Sequence, residues 1–121
     1  MKKIILMPFM VLALQACAGD PAIQRIQGGT FNSCEAATIG ELVDNFFASP
    51  SWSLIEADDG QTYVNLTGEM TFDEEPVNGL VQFTAPLTDE AAFEINAFEL
   101  NEIPQNAIMI AGLVTAMCDE Y

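Results

Sequence analysis

The chain has 121 residues, of which three are basic and 18 acidic, with no histidine, so its formal net charge is −15. A surface this acidic argues against nucleic acid as a partner, because phosphate binding requires lysine and arginine to displace condensed counterions. The missing histidine also removes imidazole metal sites and the usual base of a nucleophilic triad. The length suits one domain with one modest core.

The first sixteen residues are typical of a bacterial secretory signal. Lys2 and Lys3 give a basic start, and an apolar run from Ile4 to Leu14 follows. This run contains Pro8 and is too short to cross a membrane, which takes about 20 apolar residues. We therefore predict residues 1–16 to be a cleaved signal peptide.

The segment Leu14-Gln15-Ala16-Cys17 resembles the lipobox of bacterial lipoproteins. The resemblance implies that Cys17 becomes the N-terminus and carries acyl chains, palmitate among them, which together anchor durably at about 0.8 kcal/mol per buried CH₂. Ala18 after the cysteine implies sorting to the outer membrane of the cell envelope, on its periplasmic side. The alternative is ordinary cleavage after Ala18, which would discard Cys17.

The acidity is still greater in the mature chain. Both lysines leave with the signal, so Arg25 alone faces 18 acidic residues and the net charge becomes −17. One interpretation is a solvated, self-repelling surface, and the other is a surface for a cationic partner or a loosely held divalent ion. Asp58-Asp59-Gly60 predicts a hairpin turn rather than a calcium loop, since Ile55 and Ala57 stand where an EF-hand needs oxygen ligands. We predict no cofactor and no metal site.

Two cysteines remain if Cys17 is lipidated. Cys34 and Cys118 then form an even pair in an oxidising compartment, so we predict a disulfide between them. The loop between them is long, and the chain-entropy model gives an upper limit of about 4.5 kcal/mol for its stabilisation.

Residues 17–32 are interrupted by glycine and proline. We predict this segment to be the lipid anchor and a tether, in which Ile23, Ile26 and Phe31 contribute at most a short edge strand. The folded domain is predicted to cover residues 33–121.

The first predicted helix begins at Thr38, which has the spacing of a capping box with Glu41. Apolar residues follow at helical spacing, and Ser49-Pro50 ends the pattern. They are Ile39, Leu42, Val43, Phe46 and Phe47.

Four strands follow in the sequence. The second shows the clearest alternation, with Val64, Leu66, Met70 and Phe72 on the buried side and Gly68 marking a bulge or a close approach. In the fourth, the alternation changes phase at Phe98, which predicts a bulge. The predicted strands cover residues 52–56, 63–72, 77–85 and 93–100.

The last predicted helix runs from Pro104 to Met117 and is apolar nearly all round. One stripe is assigned to the core: Ala107, Ile110, Ala111, Val114 and Met117. The opposite side is covered either by the tether and loops of the chain itself, as small domains often bury their terminal helix, or by a binding partner. The candidate residues for a partner, with Gly112 allowing close approach, are Ile108, Met109, Gly112, Leu113 and Ala116. If Met109 and Leu113 were as buried as Ile110, the helix would be internal instead.

Together these elements predict an α+β fold, a four-stranded antiparallel meander with an N-terminal and a C-terminal helix packed on one face. If the two helices are antiparallel, the start of the first lies beside the end of the last. Cys34 and Cys118 fall at those two places.

A set of short motifs resembles an uncharacterised bacterial domain of small lipoproteins and membrane-anchored zinc-ribbon proteins. They are Thr38-Ile39-Gly40-Glu41, Asp44-Asn45-Phe46-Phe47, Pro50-Ser51-Trp52, Thr67-Gly68, Val81-Gln82-Phe83, Phe93-Glu94-Ile95 and Pro104-Gln105-Asn106. The resemblance covers most of the mature chain and implies a fold and an envelope location, without catalytic residues. This chain lacks the CxxC pairs of the zinc-ribbon members, so no metal role carries over.

These patterns predict a non-enzymatic, lipid-anchored envelope protein that serves as a protein-binding or accessory module. The alternative is an acidic inhibitor or exclusion factor against a cationic envelope-targeting enzyme such as a lysozyme. A hydrolase that uses two of the many carboxylates is a third interpretation, for which no specific motif is present.

Overall fold

The computed structural model describes residues 20–121. The predicted signal peptide, Cys17 and the two residues after it lie outside this range. The described elements are, in chain order, α1 Pro21–Gly28, α2 Ile39–Phe46, β1 Ala48–Glu56, β2 Thr62–Phe72, β3 Glu75–Thr84, β4 Ile95–Leu100, β5 Ile103–Pro104 and α3 Ala107–Asp119. None of the helices in residues 20–121 has the length and apolarity to cross a membrane.

The α+β class is confirmed, but the sheet has five strands rather than the four predicted. All neighbours are antiparallel and follow chain order, so the sheet is a meander. The added strand, β5, pairs Ile103 with Leu100 and Pro104 with Glu99 across a tight turn. Pro104 therefore lies in the sheet and not in the last helix, which Asn106 caps by accepting a hydrogen bond of 3.0 Å from the Met109 N–H.

The predicted start of α2 is confirmed. The Thr38 hydroxyl accepts from the Glu41 N–H at 3.1 Å, and the Glu41 carboxylate accepts from the Thr38 N–H at 2.8 Å. Phe47 directly after the helix is buried and packs on β2, where a Cβ on Gly68 would lie 3.0 Å from the Phe47 Cβ. Of the two alternatives predicted for Gly68, a bulge or a close approach, the structure shows the close approach, which Phe47 makes.

The alternation of β2 and β3 places one face of the sheet on the core. Val64, Leu66, Val81 and Phe83 are buried together, while the opposite face is polar. The fourth strand contains a bulge, as predicted, but it lies before Phe98 and not at it: Gln82 pairs with Ala97 and Phe83 with Ile95, so the register shifts at Asn96.

On that polar face, three amide side chains form a ladder across the sheet. Gln82 Nε2 donates to Asn65 Oδ1 at 3.1 Å, and Asn96 Nδ2 donates to Gln82 Oε1 at 2.7 Å. The ladder links β2, β3 and β4 by side chains as well as by the backbone.

The segment predicted as a tether contains a helix that belongs to the core. Asp20 caps α1 by accepting a 2.8 Å hydrogen bond from the Ala22 N–H, and Ile23 and Ile26 are fully buried. Phe31, predicted with them in an edge strand, makes only an isolated bridge with Cys34. The folded domain therefore includes α1, which precedes the predicted boundary at residue 33, because Ile23 and Ile26 are part of the core.

Arg25 fixes α1 against the loop that follows β3. Its Nε donates to Asp89 Oδ1 and its Nη1 donates to the Pro86 carbonyl, both at 2.9 Å. This loop lies at the Thr84 end of the sheet, whereas the β2–β3 hairpin after Phe72 forms the other end. α1 is thus held at the end of the sheet that is remote from this hairpin.

The predicted disulfide is present. Cys34 and Cys118 are bonded with a Cα–Cα distance of 5.9 Å, which joins the loop before α2 to the last turn of α3. At the other end of α2, Asn45 Nδ2 donates a 2.9 Å hydrogen bond to the Glu120 carbonyl. The end of α3 is therefore tied to the loop before α2 and to the last turn of α2, whereas the predicted antiparallel pair would bring only the start of α2 to it.

Candidate functional site

The faces assigned to the last helix from its sequence are only partly correct. Met109 is half-buried like Ile110, and Leu113 is more buried than either, so the condition set for an internal helix is met at these two residues and they do not form an exposed partner face. Leu113, assigned to a partner, is only 4% exposed and joins Met117 in the core, while Ala107 and Ala111, assigned to the core, are exposed. The sequence does not indicate which face of the helix points to the core, because apolar residues occur on all sides and show no clear 3.6-residue period. Ile108 is 79% exposed, as the partner assignment required.

An apolar groove runs along one flank of α3 and has a volume of about 260 Å³. We call it the α3 groove. Its residues come from α2, β2, β4 and α3: Phe46, Met70, Thr71, Phe72, Phe98, Met109, Gly112, Leu113, Ala116 and Glu120. Four of the five residues predicted to bind a partner line this groove, and Ile108 does not. The structure thus brings those four together as one wall of a concave surface, not as a flat exposed face.

The groove exposes aromatic and aliphatic surface to solvent. Phe72, predicted to be buried by the alternation of β2, is 42% exposed at the end of that strand and forms part of the wall. Met109 adds a side chain that adapts to varied packing. The volume is below the range of about 300–1,000 Å³ that is typical of pockets for small ligands. A groove of this size and apolarity can receive one or two bulky side chains of a protein.

Gly112 has no packing role among the described residues. A Cβ built on it meets nothing within 4 Å, although the residue lies inside α3. A glycine inside a helix costs about 0.5–1 kcal/mol relative to alanine. By contrast, a Cβ on Gly79 would meet the Met70 sulfur at 3.0 Å. At Gly112 no close packing within the domain offsets this loss of helix stability. The absence of a side chain does, however, leave the groove accessible to a partner.

A second depression, of about 470 Å³, flanks α3 on its other side. Its apolar surface comes from Phe31, Phe93, Ile110 and Val114, and polar residues such as Glu94 form part of its lining. No sequence pattern pointed to this depression, because its walls come from the lead-in to α2, the entry to β4 and α3.

The charge on the described surface is almost entirely negative. Arg25, the single basic residue in residues 20–121, is bonded to Asp89 and to the Pro86 carbonyl, so its charge is already compensated. Within the same residues, no three His, Cys, Asp or Glu side chains gather in a way that could hold a metal ion. The acidic side chains are instead distributed over a surface that repels anions and attracts cations.

No protein family, curated protein or solved structure matches this chain. The resemblance to lipoprotein and zinc-ribbon domains remains a prediction from the sequence motifs alone.

Proposed function

We propose that this chain is a lipid-anchored envelope lipoprotein, held in the outer membrane and facing the periplasm, that binds another protein without catalysing a reaction. The observation that carries the proposal is the α3 groove with Gly112 on its wall. Exposed concave apolar surface of this kind marks binding sites. The lipobox at Cys17 supports the anchor, and the disulfide between Cys34 and Cys118 is consistent with an oxidising compartment.

A protein partner explains both unusual features of the groove. Its small volume suits inserted side chains, which act as anchors in protein interfaces. The unfilled space over Gly112, in which a Cβ meets nothing within 4 Å, leaves the groove accessible to an inserted side chain. A small-molecule site would be expected to be larger and to have convergent polar groups.

The experiment is site-specific photo-cross-linking in the full-length, membrane-anchored protein. A photo-reactive amino acid replaces Phe72 in the groove wall or, as a matched control, Leu54 on β1. The two native side chains are 42% and 43% exposed, so exposure alone predicts equal cross-linking. We expect a specific adduct from position 72 and not from position 54.

Two substitutions at one position then test whether the adduct depends on the groove. Gly112→Trp fills the groove, whereas Gly112→Ala leaves it open, and neither Cβ clashes in the free domain. The adduct should be lost in the Trp variant and kept in the Ala variant. Adducts of equal yield from both cross-linking positions, or an adduct that persists in Gly112→Trp, would contradict the proposal.

The second candidate function is inhibition of a cationic enzyme that attacks the envelope. It is favoured by the net charge of −17 on residues 17–121 and by the compensation of Arg25 by Asp89, because long-range attraction would then steer a basic enzyme to any face. Salt separates the two functions. Affinity for a basic enzyme such as lysozyme should fall steeply between low and physiological ionic strength, whereas affinity from apolar insertion should change little.

A further inference from the structure

One end of the α3 groove is acidic. Glu120 is the only ionisable residue that lines the groove, and Asp119 precedes it at the end of α3. Asn45, in the last turn of α2, donates from its amide to the Glu120 carbonyl at 2.9 Å. Asp44 is in the same turn but lines a different depression, together with Trp52. The apolar wall of the groove therefore ends at Glu120.

The same place receives the negative ends of two helix dipoles. α2 ends at Phe46 and α3 ends at Asp119, and neither helix has a basic residue in its last turn. A carboxylate near a helix C-terminus is unfavourable, and a cation there is favourable. Each helix thus carries negative side chains at its negative C-terminal end, which lowers the stability of the helix. A cation from a partner would offset this unfavourable charge.

No basic residue of the described chain is free to supply that cation. Arg25 is bonded to Asp89 and to the Pro86 carbonyl at the opposite end of the sheet. Acidic side chains at a groove end that are not balanced within the chain favour a partner with positive charge beside its inserted apolar side chain.

We propose that the α3 groove binds a cationic protein segment, which inserts one or two bulky apolar side chains and sets lysine or arginine against Glu120 and its neighbour Asp119. This inference rests on the proposed protein-binding function and specifies the chemistry of the partner. Apolar insertion supplies contact area, and the flanking cations select the segment and fix its direction along α3.

The test uses two blocked synthetic peptides, KKFLKK and its uncharged analogue QQFLQQ, with the disulfide-bonded mature domain at constant ionic strength. Binding is measured by titration calorimetry for the natural sequence and for two double variants of equal charge. Asp119→Asn with Glu120→Gln removes two charges at the groove end. Glu56→Gln with Asp58→Asn removes two charges near the β1–β2 turn, where neither side chain makes a hydrogen bond or an ion pair within residues 20–121.

We expect KKFLKK to bind more tightly than QQFLQQ, and Gly112→Trp but not Gly112→Ala to abolish binding. The groove-end double variant should weaken KKFLKK about tenfold, and the control about twofold or less. Equal weakening by the two double variants would show that the peptide senses only net charge and would overturn the inference.

Two further outcomes also overturn it and separate it from the proposed function. If QQFLQQ binds as tightly as KKFLKK and Gly112→Trp abolishes both, the groove binds protein without selecting cations. If Gly112→Trp leaves the binding of KKFLKK unchanged, the peptide binds elsewhere, and the cross-linking from position 72 alone then decides the proposed function.

Discussion

Asn45 Nδ2 donates a 2.9 Å hydrogen bond to the Glu120 carbonyl, two residues after the disulfide-bonded Cys118. This side chain and the disulfide hold the end of α3 against α2 from two directions. The position of α3 in turn sets the width of the groove, since Phe46 of α2 and Ala116 of α3 both line it. The covalent and polar ties thus support the shape of an apolar surface.

Removal of the disulfide should destabilise the domain strongly. Cys34→Ser with Cys118→Ser opens a bond that spans 84 positions, and the free energy of unfolding should fall by up to about 4.5 kcal/mol. Urea denaturation of both proteins measures this difference. Asn45→Ala is the comparison and should cost only about 1 kcal/mol, the usual net value of one hydrogen bond. An unchanged denaturation midpoint in the double variant would show that the bond does not form in the natural protein.

Leu113 and Ile108 should differ sharply in their effect on stability. Leu113→Ala leaves a cavity beside Met117 and should lower the free energy of unfolding by about 2–5 kcal/mol. Ile108→Ala removes a side chain that is 79% exposed and should change it by less than about 0.5 kcal/mol. Denaturant curves on purified variants measure both values, and similar losses would contradict the observed rotation of α3.

Two glycine-to-alanine substitutions should change stability in opposite directions. Gly112→Ala should raise the free energy of unfolding by about 0.5–1 kcal/mol, because alanine favours the helix and meets no neighbour. Gly68→Ala should lower it, because the new Cβ would lie 3.0 Å from the Phe47 Cβ. Thermal melts of the two variants provide the measurement. A loss of stability in Gly112→Ala would reveal a packing role for this glycine.

Two glycine substitutions at the β2–β3 turn should also change the stability of the domain in opposite directions. Asp73 and Glu74 both have positive φ, at 54° and 67°, as a type I′ turn requires. Glu74→Gly should therefore stabilise the domain by about 0.5–1 kcal/mol, since glycine adopts this conformation without strain. Glu75→Gly removes the same charge one residue later, inside β3, and should destabilise it. Equal shifts in the denaturation midpoint would attribute both effects to charge and not to backbone conformation.

Cys17→Ser tests the predicted anchor directly. The variant should appear in the soluble periplasmic fraction, and inhibition of lipoprotein signal peptidase should make the unprocessed natural protein accumulate. Acyl chains supply the membrane affinity, so their loss should release a domain that carries 18 acidic residues and repels anionic lipid. Retention of Cys17→Ser in the membrane fraction would contradict lipid attachment.

The strands could be predicted well because alternation is a strong signal when one face is buried and the other is wet. Val64, Leu66 and Val81 are buried as this pattern predicts, and the phase change at Phe98 indicates the bulge in β4, which lies two residues earlier at Asn96. β5 escaped prediction because two residues are too few to show any period. Its proline was also compatible with a helix start, to which it was assigned.

The helices were predictable only where polar residues marked a boundary or a face. Thr38 and Glu41 fixed the start of α2, whereas α1 was mistaken for a tether although Asp20 followed by Pro21 is a typical helix start. The sequence predicted a partner surface on α3 that includes Met109 and Gly112, but it did not predict a groove. Its opposite wall, formed by Phe46 and Phe72, depends on tertiary packing that no local pattern specifies.

The early start of α1 limits how far a lipidated molecule could extend from its membrane. Asp20 caps α1 and comes three residues after Cys17, and three residues span at most about 11 Å. α1 lies at the Thr84 end of the sheet, while Phe72 lies at the far end of β2, about 33 Å away along the strand. Lipid at Cys17 would then keep the Thr84 end beside the bilayer and turn the groove towards the aqueous space. A partner would have to come within about 45 Å of the membrane surface to reach it.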